Sequence, residues 1–262
     1  MVLEIIGGQD GRIKICRKHF ACNSEKCSKK NELKPWKVKG WVIPPEKNSE
    51  FVANMERVLD IYKRPYNSDY PVVCMDESPK QLIQEARQRI SMRPGQEARE
   101  DCEYIRNGVV NIFMANEPLK GRRFVDVTEF KTKRDWAMFI KGIVQEKYPK
   151  AKRITLVMDN YNTHNASSFY ETFKPKVAKR LWDRLEFVYT PKHGSWLNMA
   201  EIELQVLNGQ CLKRHLSTMK MVKEQVDAWK THRDNKNSKI NWQFTNKEAR
   251  IKLRRLYPSI HN

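Results

Sequence analysis

Two short apolar runs that end in aspartate constrain this fold more than any other feature. One is Pro71-Val-Val-Cys-Met-Asp76 and the other is Ile154-Thr-Leu-Val-Met-Asp159. The second is almost continuously apolar, the pattern of a strand buried on both faces, and such a strand needs helices above and below its sheet. Further strands are predicted over residues 108–115, 122–128 and 185–189. Helical signals lie between them. Thr132 with Asp135 three residues on resembles a capping box, and Trp136, Phe139, Ile140, Ile143 and Val144 follow at helical spacing. Short helical pieces are expected within 166–182, longer ones over 196–207 and 219–229, and a last one begins at Thr245 with Glu248. Three strands, helix, strand, helix, strand, helix is an α/β order: a mixed five-stranded sheet flanked by helices.

The front of the chain is less regular. Gly7, Gly8 and Gly11 break an early apolar run, and residues 24–33 read as a short helix. Residues 36–45 read as a Lys-rich linker, extended at Trp41-Val-Ile-Pro44-Pro45 because residues before proline avoid the α region. Ser49 is then predicted to cap a helix that carries Phe51, Met55, Val58, Leu59 and Tyr62 on one face and stops before Pro65.

Charge narrows the partner. Lys and Arg total 50 against 31 Asp and Glu, a formal net charge of +19. Such an excess attracts polyanions, by steering and by counterion release from phosphates. Six cysteines are scattered without CxxC pairs; Cys74 and Cys211 fall in apolar segments and read as core thiols. Cys16, His19, Cys22 and Cys27 form a cluster, but their spacing fits no familiar zinc finger. No apolar stretch approaches the ~20 residues of a membrane span. A reducing, cytosolic setting is expected, with no membrane partner.

A third acid belongs with the two aspartates. Glu201 lies in Ser195-Trp-Leu-Asn-Met-Ala-Glu201, just after a Pro/Gly-punctuated loop. Two acids at strand ends and one on a following helix can converge on divalent metal. Phosphodiester cleavage uses such a site: two cations about 3.5–4 Å apart activate the attacking oxygen and stabilise the leaving one. Hard cations keep several waters, so two or three carboxylates suffice. Each acid also has an ordinary reading. Asp76 can cap the turn at Glu77-Ser-Pro79, Asp159-Asn160 can end a strand, and Glu201 can be a solvated helix residue. Glu77 is a rival that alternation turns to the opposite side of its strand. Glu203 is another, because the helical wheel sets it nearer the Trp196, Ala200, Leu207 face than Glu201. Periodicity leaves Glu201 and Glu203 both open.

The motifs together resemble a known family. Val73-Cys-Met-Asp76-Glu-Ser, Glu117-Pro-Leu-Lys-Gly121, Val157-Met-Asp159-Asn160-Tyr-Asn-Thr-His164 and Thr190-Pro-Lys-His-Gly-Ser-Trp-Leu-Asn198-Met-Ala-Glu201 are similar to the bacterial insertion-sequence transposases of the mariner-related group. These are DDE endonucleases with an RNase H-like fold. The resemblance runs from about residue 28 to the C-terminus. It implies Asp76, Asp159 and Glu201 as catalytic metal ligands for two Mg2+ or Mn2+ ions, with Asn198, three residues earlier, favouring Glu201 over Glu203. It implies that His164, with Asn160 nearby, supports the site by orienting a phosphate or a ligand. It sets Lys192, His193 and Ser195 in a loop that touches DNA.

The expected activity is metal-dependent hydrolysis at transposon ends and strand transfer into target DNA, a cut-and-paste movement. The expected partners are double-stranded DNA, as inverted repeats and target, and a second copy in a DNA-bound homodimer. The expected division is residues 1–45 as a remnant of a helix-turn-helix region plus linker, 46–69 as a connecting helix and 70–262 as the catalytic domain. Family members carry a paired helix-turn-helix region, and little of it is readable here. The alternative expectation is therefore a transposition-defective DNA-binding remnant with a truncated end-recognition domain.

Overall fold

The computed structural model describes residues 47–87, 90–99 and 102–258. By its internal contacts the chain divides into Met1–Trp41 and Val42–Asn262, and the described residues all belong to the second unit. The cysteine–histidine cluster, the helix over 24–33 and the linker over 36–45 lie outside the described residues.

Helix α1 (Ser49–Tyr62) buries Phe51, Met55, Val58, Leu59 and Ile61. Its cap is Asn48, whose Oδ1 accepts from the Phe51 N–H at 2.8 Å, one residue before the predicted Ser49. Asn and Ser are about equally good caps, so sequence alone cannot rank neighbours. Strands β1 (Val72–Glu85), β2 (Tyr104–Glu117) and β3 (Arg122–Thr128) follow. Helix α2 (Lys133–Gly142) has the expected Thr132–Asp135 capping box and runs into a π-helical turn, Ile143–Lys147. Then come β4 (Ile154–Met158), α3 (Ala166–Thr172), α4 (Pro175–Asp183) and β5 (Leu185–Tyr189). A 3₁₀ turn (Ser195–Leu197) leads to α5 (Met199–Leu207), which ends in a second π-helical turn, Asn208–Leu212. Helices α6 (Met219–Asn235) and α7 (Asn246–Lys252) follow, and a 3₁₀ turn, Arg254–Leu256, completes the described elements. The Thr245–Glu248 capping box of α7 is present as predicted.

The sheet order is β3-β2-β1-β4-β5. β1, β2 and β3 are antiparallel neighbours, whereas β1, β4 and β5 run parallel. All five residues of β4 are buried, as its apolar run requires. One face of the sheet carries Val73, Met75, Leu156 and Met158 against Trp136, Ala137 and Ile140 of α2 and Phe169 of α3. The other carries Cys74 and Val157 against α1, the start of α5 and Ala249 of α7, and further along Ile112, Met114 and Val127 against α5 and α6. Each large side chain moved from water into these layers contributes about 2 kcal/mol. Cys74 and Cys211 are buried free thiols, as read from their apolar surroundings.

β1 is longer than predicted, and this changes the place of Asp76. The sequence signal stops at Asp76 because Ser78-Pro79 looks like a turn. In the fold, β1 touches β4 only through Val72, Val73 and Cys74, yet pairs with β2 as far as Glu85. Beyond Cys74 it is an open edge on one side, where proline is tolerated. Asp76 therefore lies inside β1, at the point where β1 parts from β4.

Candidate active site

The parallel register sets two of the acids level. Cys74 pairs with Val157, and two residues on from each are Asp76 and Asp159. Alternation puts both on the face of Cys74 and Val157, the face covered by α5. Asn198 brings in the third. It is the N-cap of α5, with Oδ1 accepting from the Ala200 N–H at 3.1 Å. Its Nδ2 donates to the Met75 carbonyl at 2.9 Å and reaches Asp76 Oδ2 at 3.4 Å. One amide thus starts the helix and ties it to β1. Glu201 follows in the first turn, where the helix dipole favours a carboxylate. Upstream, the Tyr62 hydroxyl donates to the Leu197 carbonyl at 2.7 Å and holds the 3₁₀ turn against α1.

Asp76, Asp159 and Glu201 line one open pocket of about 370 Å3, with Ser195, Asn198, Gln205 and Asn208 around them. Burial pushes the Asp76 carboxyl up to about 7; the Glu77 N–H works against this, and the charges of Asp159, Glu77 and Glu201 add to it. Burial would also raise Asp159, but contact with His164 outweighs it and holds that carboxyl below its usual range.

His164 is fully buried and clasped between two carboxylates. Nε2 lies 2.7 Å from Glu77 Oε1, and Nδ1 lies 2.7 Å from Asp159 Oδ1. Burial alone would lower its pKa, yet the two carboxylates raise it to about 9, so at neutral pH both ring nitrogens donate. The Nδ1 proton is aligned on the Asp159 carbonyl at 3.1 Å, leaving Asp159 Oδ1 buried without a hydrogen bond. With no exposure, His164 has no surface to offer a phosphate; its contacts are those of a group that orients Asp159.

The donor set suits a hard divalent cation. It is all oxygen, one buried carboxylate oxygen lacks a donor, and Asp76 carries the electrostatic strain that a cation relieves. Among the described residues, no three Asp, Glu, His or Cys side chains are gathered tightly enough to hold an ion by themselves. Water ligands fill such gaps for Mg2+.

Ser195 is exposed at the pocket edge, whereas Asn160, Lys192 and His193 are exposed outside the pocket lining. The loop that carries Lys192 and His193 is tightly built. His193 has φ +64°, and a Cβ on Gly194 would come within 2.6 Å of the Pro191 ring.

The partners of three residues escaped the sequence reading. Glu77 turns to the opposite face as alternation predicted, but that face is where His164 returns, so it serves the site from behind. Glu203 is indeed the inward residue of the helical wheel: it is fully buried and takes two hydrogen bonds from Arg123, at 2.6 and 2.8 Å, and one from Arg233 at 3.0 Å. Arg123, also buried, further reaches Asp234 and the carbonyls of Gly121 and Ser238. The only sequence signal was an arginine in register with Val125 and Val127 on the inward face of β3.

Residues 71–223 match the family model described as DDE superfamily endonuclease. Among solved structures, the Mos1 mariner paired-end complex with Mn is 16% identical with a TM-score of 0.52, over 83% of this chain and 70% of that one. The Mos1 strand transfer complex is 17% identical with a TM-score of 0.55, over 82% of this chain and 63% of that one. The Mos1 paired-end complex with Mg is 15% identical with a TM-score of 0.52, over 97% and 85%. No curated protein matches the chain. At these identities the likeness establishes the fold: the mixed sheet flanked by helices is RNase H-like. Among the described residues, no helix is long and apolar enough to cross a membrane.

Proposed function

Since the chain belongs to the DDE superfamily of endonucleases, we propose that it is a mariner-related, insertion-sequence-type transposase whose Asp76, Asp159 and Glu201 bind the metal for DNA cleavage. The observation that carries this reading is the shared pocket of the three acids, two set level by the parallel register and the third turned in by the Asn198 cap.

Two Mg2+ or Mn2+ ions, when bound, supply activation of the attacking oxygen and stabilisation of the leaving one at the scissile phosphate. The chain's own groups do the rest. Asp76 and Asp159 offer carboxylates from a rigid sheet, and Glu201 adds a third from α5. His164, protonated between Glu77 and Asp159, keeps Asp159 in one orientation. Asn198 keeps Asp76 and the first turn of α5 in register. Ser195 lies at the pocket edge, and Lys192 and His193 are exposed in the loop that leads to it, suited to the DNA backbone. The activity is hydrolysis at transposon ends followed by attack of the freed 3′-hydroxyl on target DNA.

The partners are double-stranded inverted-repeat and target DNA and a second copy of the chain. The Mos1 complexes of this fold are paired-end and strand transfer assemblies, which supports that choice. Residues 70–262 form the catalytic domain in this reading, 46–69 connect to it, and 1–45 hold what is readable of a helix-turn-helix region plus linker.

Asp159→Asn tests the proposal. Mg2+-dependent nicking of element-end DNA is expected to fall more than about 100-fold, beyond the cost of losing a merely supporting residue. Unchanged nicking would remove Asp159 from the chemistry. Wild-type protein that cuts no end DNA with either metal would remove the transposase reading.

A further inference from the structure

A second pocket, of about 570 Å3, opens between the β2–β3 turn and the end of α6. Its wall carries Lys120, Arg122, Lys230 and Lys239, with Arg123 and Asp234 beneath. One nearby carboxylate, the buried Glu117, lies across the strand from Arg122, accepts the Tyr148 hydroxyl at 2.8 Å and makes no ion pair with Lys120 or Arg122, though it attracts both; two others are engaged. Asp234 pairs with Arg123 at 3.3 Å and Lys230 at 2.9 Å, and Glu203 pairs with Arg123 and Arg233. Lys120 donates to the Tyr66 hydroxyl at 2.9 Å, a neutral partner. Arg122 and Lys239 are exposed and, among the described residues, have no carboxylate within ion-pair distance. Like charges gathered around a cavity repel one another unless an anion sits among them.

The frame beneath is fixed. Arg123 uses its donors on Glu203, Asp234 and two carbonyls, so it holds the floor rather than a ligand. Gly121, at φ +65°, lets the turn approach the backbone of Asn237 and Ser238, where a Cβ would meet atoms at 3.0–3.1 Å. Asn237 has φ +49° and turns the chain out of α6 toward Lys239. Strand register relates the pocket to the acids. Asp76 pairs with Met114 and Met114 with Val125, three residues beyond Arg122. The backbone of Arg122 is thus roughly 10 Å across and roughly 10 Å along the sheet from that of Asp76, and alternation turns its side chain to the other face, on the edge strand β3.

We infer that this pocket is a phosphodiester subsite: Lys120, Arg122 and Lys239 grip the DNA backbone at the β3 edge of the sheet, apart from the acidic pocket. The inference rests on DNA being the partner, but not on cleavage. The test is binding of a fluorescent duplex of unrelated sequence, in EDTA, at several salt concentrations. The Arg122→Glu/Lys239→Glu double variant is expected to weaken binding about tenfold or more and to flatten the salt dependence by about two units of slope. Lys150→Glu/Lys176→Glu, the same charge change at exposed positions outside the pocket, is expected to lose much less.

If the reversal variant melts early, Arg122→Ala/Lys239→Ala gives the same readout with less repulsion. Wild type that binds duplex, with pocket variants indistinguishable from the control pair, overturns the subsite alone. Wild type that binds no duplex overturns the subsite and the DNA reading together.

Discussion

Glu201 and Glu203 are two residues apart on α5 and meet opposite surroundings. Glu201 faces an open pocket shared with Asp76 and Asp159, where negative charges crowd together. Glu203 faces the interior and is neutralised by Arg123 and Arg233. Burial would raise the Glu203 carboxyl, but its arginine partners hold it below the usual range. One side of the helix is left electrostatically incomplete and the other is saturated. The contrast teaches that the rigid side makes the incomplete side usable: a helix end anchored by a buried guanidinium can carry a carboxylate toward two others without moving away from them.

The comparison breaks most readily at Arg123. Arg123→Met leaves Glu203 and Asp234 without their buried cation and is expected to destabilise the fold by about 3–5 kcal/mol in urea unfolding. A loss below about 1 kcal/mol would mean that the network anchors nothing. Adding Glu203→Leu to Arg123→Met removes the stranded charge and is expected to restore much of the stability. Next in size, Glu201→Gln is expected to lose more than about 100-fold in Mg2+-dependent nicking while its melting temperature stays within a degree or two of wild type. Glu203→Gln is expected to do the reverse, so equal behaviour of the two variants would erase the distinction.

A third test looks at metal without catalysis. Saturating Mn2+ is expected to raise the wild-type melting temperature by a few degrees and that of Asp159→Asn by less. Equal shifts would separate the acidic pocket from metal binding. Asn198→Ala is expected to cost about 1–2 kcal/mol, from the lost cap and the buried bond to Met75. The smallest effect belongs to Glu56, on the outer surface. Its contact with Arg250 outweighs the opposing effect of partial burial and holds its carboxyl below the ordinary 4.5, with help from Tyr257. Its stabilisation is therefore full above that value and fades as pH falls below it. Because the pair is largely exposed, the change is expected to be a few tenths of a kcal/mol in an acid titration of Glu56→Gln against wild type.

Local chemistry carried far in this chain. The two capping boxes, the buried run of β4 and the inward place of Glu203 on its helix follow from residues within a turn or a strand of one another, so they are legible in one dimension. Asp159 was legible for the same reason, as the first residue past a strand buried on both faces. The length of β1 was not. Whether Ser78-Pro79 ends a strand depends on whether β4 still runs beside it, and that is a fact about the sheet order.

The sequence by itself determined the strands, most helix starts and the inward face of α5, because alternation and capping are local forces. The choice of Glu201 over Glu203 comes from a motif resemblance; what three dimensions add is that Arg123, eighty residues upstream, takes Glu203 while Glu201 faces the pocket. The clasp of Glu77 and Asp159 on His164 is likewise tertiary, since three short segments must meet at the parting of two strands before those charges feel one another. Long-range electrostatics has no period along a chain, and here it decided which acids are paired in the interior and which face the open pocket.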